Sequence, residues 1–107
     1  MNIGVDLVSV VRFRKIRQAD YTRWTHVFSE KEWAYAFGDA RSAEHLAGIF
    51  AAKEAAMKAY GKASVKKFRL FEVRHDSSSG APALTRRGAS LSISHDKNMA
   101  IAVVLVV

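Results

Sequence analysis

Hydrophobic and polar positions alternate at the start of the chain: Ile3, Val5 and Leu7 fall on one side, Gly4, Asp6 and Val8 on the other. That period of two predicts a strand over 3–8. It also sets the Asp6 carboxylate among apolar neighbours, where an unpaired charge is costly. Over 9–18 the spacing becomes helical, with Val10, Phe13 and Ile16 or Arg17 in register and Arg12, Arg14 and Lys15 crowding the remaining surface. Ser29-Glu30-Lys31-Glu32 reads as a capping box that starts a short helix, with Trp33 and Phe37 turned inward and Gly38 as its stop. A longer helix is predicted over 43–60. Leu46, Phe50, Met57 and Tyr60 would line its buried side, Ala47 and Ala51 would permit close packing, and Gly61 would end it.

Beyond Gly61 the pattern turns to short extended runs. Residues 69–75 suit a strand, 76–80 a turn, 83–85 a short returning strand, and 91–94 alternate again. The segment 96–98 predicts a tight turn into the apolar run 99–107, giving an antiparallel hairpin. That last strand is apolar on both faces, so both require cover. A chain of 107 residues has few helices to supply it, which points to self-association.

Composition narrows the class. At this length the chain holds one domain with a modest core, and its 50% hydrophobic content fits a folded globule. No apolar run approaches a membrane span, and the opening Met-Asn-Ile-Gly-Val-Asp lacks a basic segment followed by an apolar one, so neither a membrane nor a signal peptide is expected. Without cysteine there is no disulfide framework and no thiolate metal site, and a cytoplasmic location is the simplest expectation. Seventeen Lys and Arg against ten Asp and Glu leave a charge of +7, which attracts anions: nucleic acid, anionic lipid, acidic proteins or a polyphosphate. The aromatics follow core spacing instead of interleaving with a basic stripe, which argues against nucleic acid.

The candidate chemistry lies in three segments. Glu54 and Lys58 stand four apart and share a helix face with Lys53 nearby, so they form either a surface ion pair or one side of a phosphate site. Mg²⁺ is commonly held by one or two carboxylates plus substrate phosphates, and Asp6 with Glu54 could supply the pair if the long helix crosses the first strand. Lysine is a point-charge phosphate binder. His95 sits where a strand turns, as either a locally bonded histidine or a ligand-facing one. His26, His45 and His75 show no metal-ligand spacing.

Taken together, Ile3-Gly4-Val5-Asp6-Leu7-Val8, the stretch from Leu46-Ala47-Gly48 through Lys53-Glu54-Ala55-Ala56-Met57-Lys58-Ala59, and Ser92-Ile93-Ser94-His95-Asp96 followed by Ala100-Ile101-Ala102-Val103 resemble the three motifs of the 4′-phosphopantetheinyl transferase superfamily, in its small holo-acyl-carrier-protein synthase branch. Val27-Phe28-Ser29-Glu30 is similar to a further family feature. The resemblance implies an α+β fold, a small antiparallel sheet packed against a long helix. It also implies a half-size version of the larger members that would assemble as a homotrimer with active sites between subunits.

The activity implied is transfer of 4′-phosphopantetheine from coenzyme A to a serine of an acidic acyl or peptidyl carrier protein, with release of adenosine 3′,5′-bisphosphate. Asp6 and Glu54 would hold Mg²⁺, Lys58 would neutralise phosphate charge with help from Lys53, His95 would contact a phosphate at the nucleotide end, and Glu54 would help deprotonate the serine. Arg12, Arg14 and Arg17, with Arg23 beside them, would face the carrier protein. The match departs at Ile49, where many relatives carry arginine, at Lys62-Ala63-Ser64, which lacks a second glycine, and in a shortened stretch before Ser92. Lys62, Lys66 or Lys67 would then replace the missing charge. The same departures motivate an alternative, a non-catalytic member that binds carrier protein or coenzyme A.

Overall fold

The computed structural model describes residues 1–62 and 67–107. Strand β1 (Asn2–Ser9) leads through a 3-10 turn at Val10–Phe13 and another at Gln18–Arg23 to helix α1 (Glu30–Ala36) and the long helix α2 (Ser42–Ala59). A 3-10 turn at Phe68–Leu70 precedes β2 (Val73–His75), β3 (Pro82–Leu84), β4 (Ala89–His95) and β5 (Met99–Val106). The main sheet is antiparallel in the order β1-β5-β4, and β2 pairs with β3 as a separate hairpin. The hairpin expected across 96–98 is present, its turn closed by Asp96, whose carboxylate accepts from the backbone N–H groups of Asn98 and Met99.

Helix α2 lies across the sheet. Its alanine-rich sequence has high intrinsic helix propensity, and small side chains let it approach closely from nearly every side. Leu46, Ile49, Met57 and six alanines of the segment are buried. Burying a side chain the size of Leu46 or Met57 stabilises by about 2 kcal/mol. Gly61, at φ 69°, ends the helix in a Schellman arrangement: the Lys62 N–H donates to the Met57 carbonyl at 2.7 Å and the Gly61 N–H to that of Lys58 at 3.2 Å. Helix and sheet meet closely at Gly4, where a Cβ would collide with the Ala55 carbonyl oxygen.

The helix expected over 9–18 is instead a single 3-10 turn. Arg12 and Lys15, and Arg14 and Arg17, would repel at i,i+3 on a continued helix. The backbone also has a competing tie, since the Val10 N–H donates to the Asn98 carbonyl at 2.8 Å. Phe13 then enters an aromatic cluster with Trp24, Phe28 and Phe50. The strand expected over 69–75 shortens to Val73–His75 because Phe68–Leu70 turns, and the returning strand shifts to Pro82–Leu84.

The alternation in β1 holds, but the less apolar side faces inward. Gly4, Asp6 and Val8 lie under α2, while Ile3, Val5 and Leu7 are 68%, 50% and 61% exposed. They pair in register with Leu105, Val103 and Ile101 of β5, so one apolar face of the sheet is left uncovered by the described residues.

Candidate active site

Asp6 is set by β1 in a row with Ala102 of β5 and Ile93 of β4. Its carboxylate is largely withdrawn from solvent, with Oδ1 3.1 Å from Lys58 Nζ. Lys58 reaches down from the last turn of α2 and donates as well to the Val5 carbonyl at 2.9 Å. The Lys58 ammonium is therefore committed to strand β1, joining the first motif to the central one. Glu54 is half-buried one turn earlier on α2, in the part of the helix that crosses β1. Among the described residues no group of three or more His, Cys, Asp or Glu side chains is placed to hold a metal. A pair of carboxylates with room for phosphate and water oxygens is the donor set that suits Mg²⁺.

Lys53 requires a correction. It is 1% exposed, with Nζ 2.8 Å from Glu32 Oε1 and donating to the Phe68 carbonyl at 3.0 Å. Glu32 also accepts from the Ser29 N–H, completing the capping box, and through Oε2 from the Val73 N–H. Lys53 thus ties α2 to α1, β2 and the Phe68 turn, and its ammonium has no path to a phosphate. Burial pulls its pKa below the usual lysine value, against the opposing effect of the Glu32 carboxylate. It shares the buried side of α2 with Leu46, Ile49 and Met57, whereas Phe50 and Tyr60, expected there, are only partly buried.

His95 ends β4 and meets the start of α2, with Nδ1 3.2 Å from Glu44 Oε1. A carboxylate only accepts, so Nδ1 carries the proton in this contact. His95 lines a pocket of about 170 Å³ with Tyr35, Arg41, His45 and His75, floored by Ile49 and Ile93. Ile49 is buried and brings no charge to it. Spacing alone missed Tyr35, Arg41, His45 and His75, since they converge from α1, the start of α2 and β2. His45 Nε2 is 3.0 Å from Asp39 Oδ1. The Arg41 backbone N–H, followed by His45, holds the Asp39 carboxyl at about 2.

The basic residues expected at a partner surface are exposed, with different degrees of freedom. The Arg12 guanidinium lies 5.1 Å from the centre of the Phe50 ring, which itself packs on Phe68. Arg14 donates to the Lys97 carbonyl at 2.6 Å, and Arg17 pairs with Asp20 at 3.2 Å. Arg23, Lys62 and Lys67 are exposed, and Lys66 lies outside the described residues.

Comparison with protein-family models matches residues 2–104 to the 4′-phosphopantetheinyl transferase superfamily. The chain belongs to this superfamily. The match includes Asp6, Glu54, Lys58 and His95, so each of the three segments that converge on α2 lies within the superfamily region. A relative named holo-[acyl-carrier-protein] synthase, from Thermodesulfovibrio yellowstonii, is 38% identical over 97% of this chain and 96% of its own. Among solved superfamily structures, a Bacillus anthracis holo-(acyl-carrier-protein) synthase in complex with CoA (3′,5′-ADP) is 35% identical. It superposes with a TM-score of 0.78 over 98% of this chain and 94% of its own. A Helicobacter pylori holo-[acyl-carrier-protein] synthase in complex with coenzyme A is 30% identical, with a TM-score of 0.80 over 98% and 99%. The small α+β architecture therefore matches that of these solved structures.

Proposed function

We propose that the chain is a holo-[acyl-carrier-protein] synthase, transferring 4′-phosphopantetheine from coenzyme A to a serine of an apo-acyl-carrier protein. The observation that carries this reading is the junction of Asp6 with Lys58 beneath the Glu54 turn of α2, within a chain whose relatives bear that name. The serine oxygen forms a bond to the phosphorus bearing pantetheine, the pyrophosphate bridge breaks, and adenosine 3′,5′-bisphosphate departs with the electron pair. Glu54 takes the serine proton, directly or through one water. Asp6 and Glu54 fit Mg²⁺ as ligands, and the ion would supply neutralisation of pyrophosphate charge. Lys58, withdrawn from neither site nor solvent, adds a positive charge beside the transferred group, where phosphoryl transfer depends on position and electrostatics.

His95, oriented by Glu44, contacts the nucleotide end of coenzyme A. Lys62 and Lys67 remain available for its phosphates. Arg12, on its Phe50–Phe68 base, with Arg14, Arg17 and Arg23 meets the acidic carrier protein. The uncovered apolar face of β1 and β5 is buried by like chains in a homotrimer, with this single domain working in the cytoplasm.

The test is the mass of apo-carrier protein after incubation with the chain, coenzyme A and Mg²⁺. A phosphopantetheine adduct is expected. Its absence, with coenzyme A still bound, would favour the second reading, a non-catalytic member, which the uncharged, buried Ile49 beside the pocket motivates.

A further inference from the structure

The pocket around His95 contains one imidazole that differs from the others. His95 is committed to Glu44 and His45 to Asp39. His75 stacks on Tyr35 with ring centres 3.7 Å apart and planes within 5°, which fixes its orientation. Neither of its nitrogens has a hydrogen-bond partner among the described residues, although the ring is half-buried and lines the cavity. A polar ring immobilised in a pocket without a protein partner is poised for a ligand.

We propose that His75 is a phosphate-binding residue of this chain, donating to a dianionic phosphomonoester in the pocket, and that it makes the grip on coenzyme A depend on pH near neutrality. This deepens the coenzyme A reading and rests on it, with the 3′-phosphate as the group of matching chemistry. The Arg41 guanidinium, exposed and 3.4 Å from Asp39 Oδ2, supplies a permanent charge at the same mouth. Ile49 leaves the floor neutral, and apart from Arg41 the basic groups lining the pocket are imidazoles.

The groups facing His75 set the direction of the effect. Tyr35 of α1 covers one face, His45 of α2 lies beyond Tyr35, and Arg41, Glu44 and His95 complete the charged lining. Its chain neighbours are engaged elsewhere, Arg74 with Glu72 and Asp76 with Ser78 and Ser79. Burial, then the neighbouring His45 ring, pulls the His75 pKa below the usual imidazole value and so favours the neutral ring. A dianion raises that pKa, so binding takes up a proton and tightens as the pH falls. Below pH about 6 the phosphomonoester itself begins to protonate, which closes the window.

The experiment measures coenzyme A and 3′-dephospho-coenzyme A affinity between pH 6 and 8 for the wild type and His75→Gln. Coenzyme A should bind the wild type about fivefold tighter at pH 6.5 than at pH 8, with less than about twofold change in the variant or with the dephospho form. The imidazole resonance of wild-type His75 should titrate at higher pH when adenosine 3′,5′-bisphosphate is bound, a readout that needs no variant. An equal slope in His75→Gln, or a His75 titration unmoved by saturating bisphosphate, overturns the proposal. If carrier protein is modified while His75 is unmoved, this inference alone falls. If His75 responds while no adduct forms, the transferase reading alone falls.

Discussion

Lys53 and Lys58 stand five residues apart on α2, and each ammonium meets a carboxylate, yet the two pairs have different uses. The Lys53–Glu32 pair has side chains 1% and 0% exposed and a web of backbone partners. The Lys58–Asp6 pair has side chains 46% and 17% exposed, and its lysine can exchange one oxygen for another. Burial makes the first pair a fixed joint between four elements, because separating it leaves charges without water or partner. Solvent access makes the second a weak contact energetically and a responsive one chemically. Residue type on a helix therefore says little about role until its face is known.

Breaking the buried pair should have the largest effect. Lys53→Ala leaves Glu32 charged and without its cation, and should cost about 3–5 kcal/mol in urea unfolding, a large share of a small domain's stability. Joint replacement with Lys53→Met and Glu32→Gln removes both charges, keeps an acceptor for the backbone, and should recover most of that loss. An Lys53→Ala protein of wild-type stability would erase the distinction between the pairs.

Asp6→Ala should act on the other side of the comparison. Transfer to carrier protein should fall about 100- to 1000-fold, by analogy with loss of one preorganised electrostatic group, while urea unfolding changes by about 1 kcal/mol or less. A variant as active as wild type would remove Asp6 from the site. The smallest effect is expected for Lys58→Ala. The transfer rate should drop about tenfold, a barrier change of about 1.4 kcal/mol, again with little change in unfolding.

Much of the chain could be read locally. Ser29 and Glu32 announce α1 through a contact three residues long, Gly61 marks the end of α2, and Asp96 closes the final hairpin by bonding to its own turn. The three segments that carry the family resemblance could be read because their order and composition are family-like. Residues whose role depends on distant elements were harder to assign. Lys53 was misplaced since Glu32 reaches it only after α1 docks on α2. Tyr35 and His75 meet face to face from segments forty residues apart in the chain, with no periodicity to connect them. Nor does alternation in β1 tell which side the helix covers; Gly4 decides that, because only the side lacking a Cβ admits α2.

The missing Cβ at position 4 also acts as a spacer gauge for the junction of α2 with β1. Gly4 touches α2 at Ala55 and Ala59, on either side of Lys58 and immediately after Glu54. One methyl there would work as a wedge, lifting the end of the helix from the strand and widening the gap that Lys58 bridges to Asp6. The gap between Lys58 and Asp6 is thus calibrated by an atom that is not there, two residues away from Asp6.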